Sequence, residues 1–249
     1  MSSDVRVKMS VAGAPFLNFT LLGFYRDVSS RAIASAKVTF KTKSGSEVGG
    51  ELTEPSGTGE APSVVLIQEW WGINDHIRSL ADRLAFLVVA PDLYHGKVAK
   101  DASEAGAMMT ALDTFEAVKE IGGAVSFLKE HARGNGKVGV IDFCMGGALA
   151  FASPCHVEGL SAVVPFYGIP PAEKVDYSKV TAPILAHFAK NDDWATVAKA
   201  RSSRRSSMLS ANRCSSTSTM RATRSSTTRV PTPTTRRARS SRGSARSTS

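Results

Sequence analysis

Beyond residue 60 the chain alternates short β-branched runs with amphipathic stretches, and that alternation restricts it to a few folds. "SVVLIQE" (63–69) reads as a buried strand, "DHIRSLADRLA" (75–85) as a helix, "FLVVAPDL" (86–93) as a strand and 104–131 as a long helix. In that helix Phe115, Val118, Ile121, Val125 and Leu128 recur at three- and four-residue spacing, which predicts one apolar stripe against a sheet. "GKVGVIDF" (136–143) runs as a strand straight into "CMGGALAFA", and "LSAVVPFYG" (160–168) and "APILAHFAK" (182–190) continue the series. Upstream, "IASAKVTF" and "SEVGGEL" flank a Lys-Ser-Gly turn, the pattern of a β-hairpin with Gly45 in the left-handed region. Strands separated by helices pair in parallel through crossovers. One doubly wound, mostly parallel α/β domain is therefore expected over residues 33–200, with functional groups at the carboxyl ends of its strands. Only Ala85 separates helix from strand between Leu84 and Phe86, shorter than the usual connection, so residues are expected to be missing there.

The formal charge of +9 suggests a polyanion partner until its distribution is read. Residues 201–249 hold 12 of the 31 Lys and Arg and none of the 22 Asp and Glu, which leaves 19 basic against 22 acidic side chains before them, a net of −3. Of those last 49 residues 36 are Ser, Thr or Arg, with no aromatic side chain. A segment of that composition buries too little apolar surface to offset its ordering entropy, so 201–249 is expected to be a disordered tail. Residues 1–32 form an N-terminal extension without an assigned role. Within it Val11–Tyr25 is fairly apolar and follows Arg6 and Lys8, but Pro15 and Asn18 interrupt any signal-peptide core. No run approaches a membrane span. Cys144, Cys155 and Cys214 have neither disulfide-framework nor metal-ligand spacing, so a reducing, cytoplasmic setting without a metal is expected.

Three positions carry chemistry. Cys144 stands where an apolar strand gives way to a helix opened by Gly146 and Gly147, the strand-to-helix turn that lifts a nucleophile to the top of a sheet. The helix N-terminus there favours a thiolate, and free N–H groups after the nucleophile can hold an oxyanion. A small buried structural cysteine fits the same pattern. Glu69, in "QEWWGIND" (68–75), lies past another strand end beside two tryptophans, either as a partly desolvated carboxylate able to pair with a thiol or as an edge-of-core residue under an aromatic lid. Asp192, with Asp193 as an alternative, follows the strand "ILAHFAK" and suits either the acid of a triad or a helix cap. Trp70, Trp71, Tyr94, His95 and Trp194 are placed to wall a pocket.

In this order and spacing, "VVLIQEWWGINDHIRSLADRLA", "VVAPDLYHG", "DFCMGG", "AVVPFYG" and "APILAHFAKNDDW" resemble the dienelactone hydrolase (carboxymethylenebutenolidase) family of the α/β-hydrolase fold, over about residues 33–200. The resemblance implies a Cys–His–Asp triad that cleaves a small enol-lactone or related ester through an acyl-enzyme, without a cofactor. It makes Cys144 the nucleophile, Asp192 the triad acid and Glu69 the carboxylate that holds the thiol. The backbone N–H groups of Trp70 and Met145 become the oxyanion hole. Two departures stand out. Asp142 occupies a position that is glycine in the family's elbow. The histidine, which the family places after the acid in a His-Ala-Phe motif, has no counterpart, because His76, His95, His131, His156 and His187 all precede Asp192.

A shifted reading frame accounts for both the tail and the missing histidine. If the third base of each codon is joined to the first two of the next, with synonymous codons free, residues 221–236 can be respelled Arg-His-Ala-Phe-Val-Asn-Asp-Thr-Arg-Ala-Asp-Ala-Tyr-Asp-Ala. The histidine codon then straddles Ala222 and Thr223. On that reading the frame is lost after about residue 200, the C-terminal strand and helix are missing, and activity is impaired. The expected partner is a small lactone or ester, with no nucleic acid or membrane involved and the oligomeric state open. The alternative is a non-catalytic α/β scaffold whose basic tail binds nucleic acid through phosphate contacts.

Overall fold

The computed structural model of the chain describes residues 34–171, 175–176, 179–180, 182–189, 192–196, 199 and 221–223. The N-terminal extension, and the tail apart from its three residues 221–223, lie outside the described residues. A hairpin of β1 (Ala34–Lys41) and β2 (Glu47–Glu54) comes first, paired antiparallel from Ala34↔Glu54 to Lys41↔Glu47, with Gly45 at φ 91° in its turn. There follow β3 (Ala61–Leu66), α1 (Asp75–Leu84), β4 (Leu87–Pro91), α2 (Ala102–Ala111), α3 (Thr114–Glu130), β5 (Gly134–Phe143) and α4 (Cys144–Ala152). A short 3-10 turn, β6 (Ala162–Phe166), β7 (His187–Ala189) and β8 (Arg221–Thr223) complete the order. The sheet runs β1-β2-β4-β3-β5-β6-β7-β8, antiparallel at the hairpin end and parallel from β4 onward.

Successive residues of the central strands face opposite layers. Leu87 and Val89 of β4 join Val65, Ile67 and Val140 under α3 and α4, in a core that includes Val118, Ile121, Val125 and Leu128. Val88 and Ala90 meet Leu66 under α1, where Ile77 and Ala81 cover them. Strands buried on both faces explain why their sequences read as continuous apolar runs rather than as alternation.

Four expectations change. The long helix is two helices, because Asp113 accepts from the Phe115 and Glu116 N–H groups and starts α3 afresh. Phe115 then falls in the first turn of α3 and stays 47% exposed, outside the stripe that Val118 to Leu128 form. The short connection before β4 suffices as it stands, since Ala85 takes φ 54° as a left-handed cap and closes it with Phe86 alone following. The strand expected over 182–190 is regular only from His187 to Ala189, with Ile184 bridging to Val163. Finally, the edge expected to have lost its C-terminal strand is occupied by Arg221–Thr223, parallel to β7. Among the described residues no helix is long and apolar enough to cross a membrane.

Candidate active site

The site forms where β3, β5 and β6 end side by side. Phe143 closes β5 and Cys144 opens α4 with φ 57°, a left-handed conformation that a residue with a Cβ adopts only when its surroundings enforce it. The enforcement comes from close packing. A Cβ on Gly147 would stand 2.5 Å from the Phe166 carbonyl, and one on Gly168 would overlap the Cys144 carbonyl. The Phe143 ring stacks on Phe166 at 4.7 Å, and Phe166 in turn on His187 at 4.5 Å. The turn therefore has the strained geometry expected of a nucleophile elbow.

Electrostatically the expected thiolate is not favoured. Burial pushes the Cys144 thiol above its ordinary range. The Met145 N–H opposes this, and the charges of Glu69, Asp142 and Asp192 add to it. Burial of the sulfur outweighs the Met145 N–H at the start of the helix, so Cys144 is a thiol at neutral pH.

Glu69 sits in a turn closed by the Gly72 N–H donating to its carbonyl at 3.2 Å, with Gly72 at φ 92°. A Cβ on Gly72 would strike the Lys97 carbonyl, so the turn needs glycine for both space and conformation. The Glu69 side chain is 18% exposed and accepts from the Tyr167 hydroxyl at 3.4 Å, while His76 Nε2 lies 3.8 Å away on the first turn of α1. Tyr94 is buried, and its hydroxyl donates to the Trp70 carbonyl at 3.2 Å and reaches Met145 Sδ at 3.3 Å. One phenol thus holds together the two residues whose N–H groups are expected to bind an oxyanion. Burial raises the Tyr94 hydroxyl to about 12 and keeps it a donor across the working range.

Asp192 Oδ1 accepts from the N–H groups of Trp194 and Ala195, at 2.8 and 2.7 Å, in a local turn, while its charge still reaches Cys144. Cys144, Glu69, Trp70, Met145, Tyr94 and Asp192 therefore assemble at one place. Trp71 packs edge-on against Trp70 and accepts from the Ala99 N–H, and Trp194 stands 72% exposed. His95, at φ 52°, lies 3.6 Å from Glu120 and lines, with Tyr94, a cavity of about 400 Å³. His76 meets the site through Glu69. His187 is locked in the stack on Phe166, and burial lowers its pKa. Tyr167 and His76 were missed by the sequence reading. Tyr167 was legible as the residue just past a strand end, whereas His76 reads as an ordinary helix residue until the turn folds it toward Glu69. Among the described residues no group of three His, Cys, Asp or Glu side chains could hold a metal.

Residues 48–214 match the sequence model of the dienelactone hydrolase family. Protein usf of Aquifex pyrophilus is 35% identical over 165 residues, which is 61% of this chain and 70% of that one. Carboxymethylenebutenolidase 1 of Cupriavidus pinatubonensis is 30% identical over 172 residues, 64% and 73% of the two chains. In fold the chain is similar to a dienelactone hydrolase-like promiscuous phosphotriesterase from metagenomic libraries, with a TM-score of 0.65 at 22% identity, over 78% of this chain and 82% of that one. A strained cysteine elbow in a sheet of this order, within a match spanning most of the described residues, has one reading: the chain belongs to the dienelactone hydrolase family.

Proposed function

We propose that the chain is built as a carboxylic ester hydrolase that opens a small enol-lactone or related ester through Cys144. The observation that carries this is Cys144 held at φ 57° between the end of β5 and α4, with Glu69 acting on it. Sγ attacks the carbonyl carbon while its proton passes to the Glu69 carboxylate, and the carbonyl electrons move onto oxygen beside the Trp70 and Met145 N–H groups. Collapse breaks the C–O bond to the leaving oxygen, which takes a proton. Water then hydrolyses the thioester and restores the thiol. Asp192 is the acid this scheme would pair with a histidine, and among the described residues no histidine does so. The activity of this chain is therefore impaired relative to a complete triad.

We read the residues after about 200 as out of frame, in line with their Ser, Thr and Arg composition. The free thiols of Cys144 and Cys155 suit a reducing cytoplasm. The deciding assay measures turnover of small enol-lactones and aryl esters by the chain and by its frame-restored form. Mass spectrometry should find an acyl adduct on Cys144. No turnover by either form, or turnover untouched by Cys144→Ala, would falsify the assignment. Sequencing the gene around codon 200 tests the frame separately, because an intact frame there ends that part of the reading.

A further inference from the structure

Directly beneath the nucleophile lies a carboxyl group that the proposed reaction does not use. Asp142 is fully buried, and neither of its side-chain oxygens accepts a hydrogen bond. Its neighbours offer little. Across the ladder it pairs with Pro165, which has no N–H to give, and the adjacent Phe143 N–H favours the anion without reaching hydrogen-bond geometry. The titratable groups that act with it from the surrounding elements are Glu69 beyond β3, Cys144 opening α4 and Tyr167 beyond β6. All three are acids, whose ionised forms repel a carboxylate. Among the described residues no cation compensates it.

The same carboxyl fills the space over the first turn of α4. A Cβ on Gly146 would overlap Asp142 and would lie 2.8 Å from the main-chain carbonyl oxygen of Gln68. The Asp142 carboxyl and that carbonyl thus border one small volume between the end of β3 and the elbow. Two acceptors facing one space repel each other if the acid is ionised. If it is protonated, its O–H can donate to the carbonyl.

We propose that Asp142 is a neutral carboxylic acid in the folded protein and a positioning residue for Cys144. Its O–H bonds the elbow to the Gln68 carbonyl at the start of the strand end that carries Glu69 and Trp70. The fold holds this proton where the unfolded chain releases it. The sign follows from linkage. Below about pH 4 both states are protonated and Asp142 makes no pH-dependent contribution. Above that, the unfolded chain loses the proton and the native state keeps it, so stability falls as pH rises until the native carboxyl itself ionises. Burial raises its pKa well above the ordinary value, which places that limit far above the unfolded one. Ionisation then opposes the Gln68 carbonyl and adds a negative charge beside the thiol, which delays its deprotonation.

The test uses the full chain and two variants, Asp142→Asn, which imitates the neutral acid, and Asp142→Gly. Urea unfolding from pH 4 to pH 9 should show the unfolding constant of the natural chain rising relative to either variant, by up to tenfold per pH unit, the signature of one proton. Alkylation of Cys144 by iodoacetamide, followed by peptide mass spectrometry, should have its midpoint at lower pH in both variants. Asparagine should keep the natural elbow's cooperativity better than glycine. In the natural chain, independent of any variant, infrared difference spectroscopy should retain a protonated carboxyl band at neutral pH. A pH-independent stability difference, or no such band at pH 7, overturns the proposal. The stability and infrared readouts need no substrate, so they separate this inference from the hydrolase reading, on which only its consequence for catalysis rests.

Discussion

The sheet has two unequal halves, and the candidate site straddles their boundary. In the centre, β3 pairs with β5 over Ser63 to Leu66 and β5 with β6 over five consecutive positions, with helices on both faces and side chains such as Val65, Leu87, Ile121 and Leu128 wholly buried. Beyond β6 the ladder thins. Among the described residues β7 meets β6 at Phe166↔His187 with a separate bridge at Val163↔Ile184, and its local core is a small cluster of Phe151, Ala186, Phe188 and Ala195. Cys144, Glu69, Trp70 and Tyr94 belong to the thick half, Asp192 to the thin one. The groups proposed to form and stabilise an acyl-enzyme are thus held by a core worth roughly 1.5–3 kcal/mol per buried large aliphatic side chain. The part that would orient a base hangs on a three-residue strand.

The comparison breaks most severely in catalysis. Cys144→Ala is expected to lower ester hydrolysis by roughly 10³-fold or more. Asp192→Asn should lower it by less than about tenfold, because an amide oxygen can still cap Trp194 and Ala195 and no described histidine depends on the charge. Steady-state rates on one aryl ester decide it, and equal losses would mean that the thin half is as catalytic as the thick one. In stability, Ile121→Ala should cost about 2–5 kcal/mol in urea unfolding and Phe188→Ala clearly less, despite the larger side chain removed. The reverse order would show the edge to be the better-packed region.

Alkylation of Cys144 gives the next effect. Because its pKa is raised, the reactive thiolate is scarce at neutral pH, and the alkylation rate should climb with pH through and above the usual thiol range, near 8.5, without a plateau at pH 7. A rate already flat at pH 7 would mean that a base outside the described residues serves the sulfur. The smallest expected effect is that of Tyr94→Phe, which removes the hydroxyl joining Trp70 to Met145. It should cost roughly 0.5–1.5 kcal/mol of transition-state stabilisation, read in kcat with KM unchanged. A change in KM alone would move Tyr94 from positioning the oxyanion hole to binding substrate.

The sequence was most legible where one local rule decides the outcome. Period and β-branching marked β3, β4 and β5, a Lys-Ser-Gly turn marked the hairpin, and a strand running into Gly-Gly marked the elbow. It failed where a single side chain redirects the backbone, as at the Asp113 cap that splits one expected helix into two and at Ala85, whose left-handed cap makes a short connection sufficient. In the site, residue types adjacent to strand ends were found, and partners brought in by folding were not: His76 and Tyr167 meet Glu69 from 7 and 98 residues away in sequence.

By itself the sequence determined the layered α/β fold, the place of the strand-to-helix elbow at Cys144 and the oddity of Asp142, because periodicity and elbow chemistry are written within a few consecutive residues. The tertiary structure alone decided the burial that raises the Cys144 and Asp142 pKa values, the bonds of Asp192 to Trp194 and Ala195 and the approach of His95 to Glu120. Each of these depends on burial and on charges contributed by several strand ends at once, and desolvation is a property of the assembled site that no single stretch of chain possesses.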